Sequence, residues 1–184
     1  SKAAHAQYMQ QVVLPGIKPQ ALKLVQDHQA AGDTVVIITA TNEFVTRPIA
    51  KAFGVNELLA IDLEVDSSTG WYTGEIAGVP SFREGKITRV EAWLEAMGLW
   101  WGSFERSWFY SDSANDIPLL ERVSDPVAVD PDDRLAAVAR ERGWAFTVPH
   151  FRGCSGELNL APRAYHSGDY EEVGWILQRQ IGRA

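Results

Sequence analysis

Apolar positions in this chain first recur every three to four residues, then gather into short continuous runs, and the two patterns alternate along most of its length. Residues 1–13 read as a helix with Tyr8, Met9, Val12 and Val13 along one side, and Leu14-Pro15-Gly16 should break it. Pro19 suits the first turn of the next helix. Its apolar stripe is Ala21, Leu22, Leu24, Val25 and His28, and Gly32-Asp33 closes it. His28 falls near its C-terminus, where positive charge is favoured. Thr34 to Thr39 is a β-branched run of the kind buried on both faces of a parallel sheet. A helix over 43–53 follows, with Pro48 inside it and Gly54 at its end. Residues 58–65 and 71–77 predict a hairpin around Asp66 to Gly70. Residues 85–97 predict a helix with Ile87, Val90, Leu94 and Met97 facing inward.

The second half repeats the alternation. Ser107 to Ser111 reads as a buried strand, 114–122 as a helix, Pro126 to Val129 as a strand, 132–142 as a helix and Trp144 to Val148 as a last strand. Strands separated by helices imply an α/β fold, a Rossmann-like parallel sheet with crossover helices on its faces. The tail from about residue 150 differs. It holds Gly153, Gly156, Pro162 and Gly168, and Asp169 to Glu172 has the spacing of a capping box before a final helix with Val173, Ile176, Leu177 and Ile181 on one face. That helix is expected to dock on the domain or on a partner, and Gly156 to Leu160 alternates like a strand that could add to a sheet edge.

The 184 residues are one domain of ordinary size, and a net charge of −7 argues against non-specific binding to nucleic acid or to an anionic membrane. No run is long and apolar enough to span a bilayer, and no basic-then-apolar start reads as a signal peptide, so a cytoplasmic protein is expected. The single cysteine, Cys154, excludes an internal disulfide framework and reads as an inert thiol. Trp100-Trp101 reads as an exposed pair near a helix end.

In an open parallel sheet, ligands bind beyond the carboxyl ends of the strands. Three polar constellations fall there. Thr39 and the small Ala40 can offer a hydroxyl and a backbone N–H to an anion beside the start of helix 43–53; the plain structural reading is that Thr39 and Asn42 cap that helix. Lys86 opens a helix, the unfavourable end for a cation, and a phosphate partner would account for it; a solvated surface lysine is the alternative. Asp112 and Asp116 straddle a strand-to-helix turn, and few oxygen ligands shared with water and phosphate suit Mg²⁺. Capping by Ser113 with two solvated acids is the bland alternative there.

Taken in order, Val35 to Thr41, Glu84-Gly85-Lys86 and Tyr110-Ser111-Asp112-Ser113-Ala114-Asn115-Asp116-Ile117-Pro118 resemble the second, third and fourth motifs of the haloacid dehalogenase (HAD) superfamily. The likeness spans about residues 1–150 and leans toward the phosphoserine-phosphatase-like branch, which includes histidinol-phosphate phosphatases. Thr73-Gly74, the run Ser81 to Lys86 and Asp130-Pro131-Asp132 also fit that branch. The resemblance implies a Mg²⁺-dependent phosphomonoesterase acting on a small phosphorylated substrate through an aspartyl-phosphate. Thr39 and Ala40 would bind the phosphoryl group. Lys86 would neutralise it and hold the nucleophile. Asp112 would ligate the metal, with Asp116 behind it. Residues 1–16 would be a remnant of a helical cap, 17–150 an incomplete core and 151–184 a tail.

The same resemblance implies an Asp-x-Asp-x-Thr nucleophile motif after a central strand, and no such motif occurs in these residues. Asp62 to Asp66 is acidic but falls in the hairpin and matches no motif. A chain without the nucleophile should be inactive, and a sheet without its central strand should have a gap or two exposed edges, which favours self-association. A non-catalytic relative that binds phosphate, metal or a partner is the alternative. A receiver-like domain fits worse, because such domains group their acids early in the chain.

Overall fold

The computed structural model describes residues 2–147. The chain opens with α1 (Lys2–Tyr8), a π-helical turn (Met9–Val13) and α2 (Leu14–Gly16). The helical path therefore runs through Pro15, contrary to the expected break. The π turn ends with the Leu14 N–H donating to the Met9 carbonyl, and Pro15 falls in the first turn of α2, where its missing N–H costs nothing. Only Met9 of the expected apolar side is buried; Tyr8 and Val12 are exposed. α3 (Pro19–Ala31) ends at Gly32 in the left-handed conformation with φ 86°.

The first sheet has the order β1-β2-β3, from β1 (Val36–Asn42), β2 (Glu57–Val65) and β3 (Tyr72–Ala77), with α4 (Glu43–Ala52) crossing between β1 and β2. β1 and β2 are parallel, with Ile38 opposite Leu59, and an irregularity follows before Asn42 meets Ile61. β2 and β3 form the expected antiparallel hairpin. β1 starts two residues later than its apolar run and continues through Thr39-Ala40-Thr41-Asn42, so Thr39 lies within the strand rather than after it. Its residues are half-buried or exposed, not buried on both faces, because among the described residues β1 ends its sheet and only β2 pairs with it.

The second sheet has the order β4-β5-β6, all parallel, from β4 (Trp108–Ser111), β5 (Asp125–Val129) and β6 (Ala145–Thr147). α5 (Glu84–Ala96) leads into it through a short 3-10 turn at Trp101–Ser103. Residues 114–122 split into a 3-10 turn (Ala114–Asp116) and α6 (Ile117–Leu120), and α7 (Asp133–Arg142) joins β5 to β6. The fold is α/β with parallel-rich sheets and flanking helices. Among the described residues β1 and β4 are not hydrogen-bonded to each other, so the sheet implied by the sequence is divided in two.

Two apolar clusters hold this arrangement. Leu59, Val90, Leu94 and Leu119 form one, against which Val36, Ile38, Ile87, Trp101 and Phe109 pack; Leu120, Ala128, Leu135 and Ala139 form the other. Phe109 packs on both, so the second sheet is fastened to the first through apolar contact rather than through a ladder. The predicted inward face of α5 holds at Val90 and Leu94, but Met97 is its exposed C-cap. Trp100 is exposed as expected, while Trp101 turns into the core. No described helix is long and apolar enough to cross a membrane. Cys154, the Gly156 to Leu160 stretch, the final helix and the 151–184 tail lie outside the described residues.

Candidate active site

Ile38 immediately precedes Thr39, Ile87 immediately follows Lys86, and Phe109 stands two residues before Ser111. All three pack on the same apolar cluster, so a residue beside each of the three constellations shares one patch of core.

Lys86 is not a solvated lysine. It occupies the first turn of α5 at 6% exposure, and its Nζ lies 2.6 Å from Asp116 Oδ1. The Nζ also sits 5.8 Å from the Phe109 ring centroid, where the face of the ring attracts a cation. Asp116, in the 3-10 turn after β4, is equally buried, and its Oδ2 accepts from the Ser111 hydroxyl at 2.7 Å. Each charge thus has a charged or polar partner, which a buried ion requires. Two local features deliver Lys86 to this place. A Cβ on Gly85 would run into the Pro80 carbonyl oxygen, so only glycine allows the loop to close against the helix start. Arg83, the residue before α5, adopts φ 49° and ψ −123°, a costly conformation for a side-chain-bearing residue, and its Nε donates to Asn115 Oδ1 at 3.3 Å. The fully buried Ser81 hydroxyl, which donates to the Leu59 carbonyl, ties the same loop to β2.

Asp112 follows Ser111 directly and is exposed, and its carboxylate has no hydrogen-bond or ionic partner among the described residues. Its backbone is fixed: the Asp132 N–H donates to the Asp112 carbonyl at 2.8 Å. Asp132 in turn accepts from the Ala114 and Leu135 N–H groups, which holds its carboxyl below the usual range and locks the 112–116 turn onto the start of α7. Ser113 caps the 3-10 turn by accepting from Asn115 N–H, so the capping reading and the two-acid reading are both present in one turn. Thr39 and Asn42 also divide their work. Asn42 caps α4 by accepting from Val45 N–H, while the Thr39 hydroxyl accepts from Thr41 N–H and caps nothing.

The oxygen chemistry of Asp112 and Asp116 suits a hard cation such as Mg²⁺, with water and phosphate completing its shell. No group of three or more His, Cys, Asp or Glu able to hold a metal occurs among the described residues. Asp116 already serves Lys86 and Ser111, one through each oxygen, whereas neither oxygen of Asp112 has a partner among the described residues.

Three positioning residues stood in the motif runs with no role assigned from sequence. Ser81 and Asp132 act by hydrogen bonds to residues far along the chain, and Ser111 by one to Asp116 across the turn; the one available signal was a small hydroxyl residue immediately before Asp112 at a strand end. Away from the rim, His28 joins α3 to β4. Its Nδ1 is 2.7 Å from Asp33 and its Nε2 is 2.8 Å from the Tyr110 hydroxyl. A carboxylate only accepts, so Nδ1 carries the proton, and in the neutral ring Nε2 accepts from the phenol. Burial, with the negative charges of Asp125 and Asp33, pushes the Tyr110 phenol up to about 12.

Residues 1–121 match the family described as haloacid dehalogenase-like hydrolase. The chain is 46% identical over 140 residues to a histidinol-phosphatase of Neisseria meningitidis serogroup C, covering 76% of this chain and 63% of that protein. It is 38% identical over 122 residues to phosphoserine phosphatase SerB1 of Mycobacterium tuberculosis, covering 66% of this chain and 38% of that one. A crystal structure of a Bordetella pertussis Tohama I protein of unknown function superposes with a TM-score of 0.76 at 51% identity, over 79% of this chain and 64% of that one. The chain therefore spans less than two thirds of each of these relatives. A substrate-bound phosphoserine phosphatase shares the fold at a TM-score of 0.52 and 17% identity, covering 68% of this chain and 56% of that one. With the motif order, the fold and these likenesses in agreement, the chain belongs to the haloacid dehalogenase-like hydrolases.

Proposed function

We propose that this chain forms the phosphate- and metal-holding part of a phosphomonoesterase that acts on a small phosphorylated metabolite of the phosphoserine or histidinol-phosphate kind. The observation that carries the reading is the buried Lys86–Asp116 pair beside Phe109, whose apolar cluster also takes Ile38, the neighbour of Thr39. A cation buried at a helix N-terminus is unfavourable for folding alone, and an anionic ligand accounts for its position.

In this reading the Thr39 hydroxyl donates to one phosphoryl oxygen, the Ala40 N–H adds a second donor, and the Lys86 ammonium faces a third oxygen while Asp116 fixes its direction. Donors already aimed where charge gathers need no rearrangement during reaction. Asp112, with Asp116 behind it, would hold Mg²⁺, which when bound supplies positive charge against the phosphoryl oxygens. The attacking carboxylate of an Asp-x-Asp-x-Thr motif is not among the 184 residues. The chain alone therefore holds phosphate without turning it over.

The test is Mg²⁺-dependent hydrolysis of p-nitrophenyl phosphate. The 184-residue chain should show none. A longer chain with an Asp-x-Asp-x-Thr strand ahead of these residues should turn over, and Lys86→Ala should lower its kcat by about 10²–10³-fold, the cost of losing one preorganised donor. Turnover by the 184-residue chain that Asp112→Asn abolishes would show that the nucleophile lies within these residues and overturn this division of labour.

A further inference from the structure

Arg83 stands in a backbone conformation that its own contacts do not explain. Its φ of 49° and ψ of −123° fit the first central position of a type II′ turn, a place glycine takes without steric cost. The turn is made by backbone alone: the Gly85 N–H donates to the Phe82 carbonyl at 2.9 Å, and the Lys86 N–H to the Arg83 carbonyl at 3.0 Å. Glycine at position 83 would keep both bonds. Among the described residues Asp130 is the other non-glycine with positive φ, and an aspartate tolerates that region better than an arginine does.

The Arg83 side chain does little for the fold. It is exposed, its Nε donates to the neutral Asn115 amide at 3.3 Å, and its Cζ lies 5.1 Å from the ring centroid of the adjacent Phe82. No acid pairs with it among the described residues, and both terminal nitrogens lack a hydrogen-bond partner there. A long hydrogen bond to an exposed neutral acceptor stabilises less than a side chain in this conformation costs. Strain of this kind gathers at ligand sites, where the side chain is needed for more than packing.

The surroundings of Arg83 point to an anion. Arg83 and Lys86 reach adjacent residues of one turn: Lys86 meets Asp116, and Arg83 meets Asn115. The first pair is buried and the second exposed, so the two form an inner and an outer step between the same two segments. Charge balance asks for the outer one. Lys86 and Asp116 cancel each other, and Asp112 offsets half the charge of a Mg²⁺ ion, which leaves one positive charge against a phosphate close to a dianion. Arg83 supplies a second.

We infer that Arg83 is a further phosphate-binding residue: anchored by Asn115, it presents both terminal nitrogens to the solvent-side oxygens of the phosphoryl group that Lys86 meets from within. This rests on the phosphate-site reading above and adds a residue to that site.

Calorimetric titration of the 184-residue chain with inorganic phosphate in Mg²⁺, beside thermal midpoints of the same variants, tests it. Arg83→Gly and Arg83→Ala should both bind phosphate about tenfold or more weakly than the unmodified chain, the scale of one charge-assisted contact. Their midpoints should part. Arg83→Gly, freed of strain, should melt no lower than the unmodified chain, and Arg83→Ala, which keeps the strain, should melt several degrees below Arg83→Gly. Arg83→Lys, which keeps the charge and loses the planar fork, should stay several-fold weaker than the unmodified chain. Unchanged phosphate affinity in Arg83→Gly, with Lys86→Met abolishing binding, overturns the inference and leaves the phosphate site standing. Full affinity in Arg83→Lys, or an Arg83→Gly midpoint well below that of the unmodified chain, overturns it too. So does a loss seen with phosphoserine but not with inorganic phosphate, which puts the guanidinium on the alcohol half instead. Failure of inorganic phosphate to bind the unmodified chain removes the phosphate-site reading and this inference with it.

Discussion

Removing one partner of the Lys86–Asp116 pair should be among the most damaging single changes this fold can suffer. Both side chains are close to nine-tenths buried, at 8% and 11% exposure, and stand 2.6 Å apart. Lys86→Met keeps length and apolar volume but leaves the Asp116 carboxylate with Ser111 as its remaining partner. A buried charge stranded this way costs about 3–5 kcal/mol. At about 2–4 °C per kcal/mol for a chain of this size, the midpoint should fall by roughly 6–20 °C. Asp116→Leu strands the ammonium and should cost a similar amount. The double variant, Lys86→Met with Asp116→Leu, strands neither charge. Its main residual loss is the acceptor for the Ser111 hydroxyl, about 1 kcal/mol. The two effects are therefore strongly non-additive, with a coupling of about 3 kcal/mol or more. Urea unfolding followed by tryptophan fluorescence measures all four corners of the cycle. Single losses below about 1 kcal/mol, the scale of an exposed surface pair, or an additive double variant, would refute the claim that this pair is buried and mutually dependent.

Further consequences can be measured the same way. Gly85→Ala places a Cβ against the Pro80 carbonyl oxygen, which is backbone and yields poorly; the urea midpoint should fall by about 1–3 kcal/mol equivalent with an unchanged slope. The Tyr110 phenol is raised from 10 to about 12, so the folded state holds its proton more tightly than the unfolded chain does, and stability present below pH 10 is lost as pH climbs through 12. Tyr110→Phe should flatten that alkaline decline in thermal midpoints. Asp132 is shifted the other way: its contribution is present above the ordinary value of 3.8 and lost as pH falls below it, and Asp132→Asn, which keeps an acceptor oxygen for only one of the Ala114 and Leu135 N–H groups, should weaken the acid-side decline.

The alternation of strands and helices was legible because each apolar run has one period, and the HAD motifs were legible because Asp112 to Asp116 falls where such a sheet ends. The parts that were not legible depend on long-range contacts. Nothing in the local pattern distinguishes a solvated Lys86 from one held by Asp116, thirty residues on. β1 outruns its apolar stretch because Thr39 to Asn42 follow β2 rather than their own propensity. Pro15 reads as a break unless the preceding π turn is known. The His28–Tyr110 bond links residues 82 positions apart and leaves no trace in either helix or strand pattern.

The central claim is that Thr39, Lys86 and Asp112 serve one phosphate. A ¹H–¹⁵N correlation titration of the 184-residue chain with inorganic phosphate in Mg²⁺ addresses it residue by residue. The account predicts that amides of 39–41, 85–87 and 111–116 shift together along one saturable curve, and that the response disappears in Lys86→Met. Shifts confined to one of those segments, or segments saturating at different phosphate concentrations, would contradict a shared site.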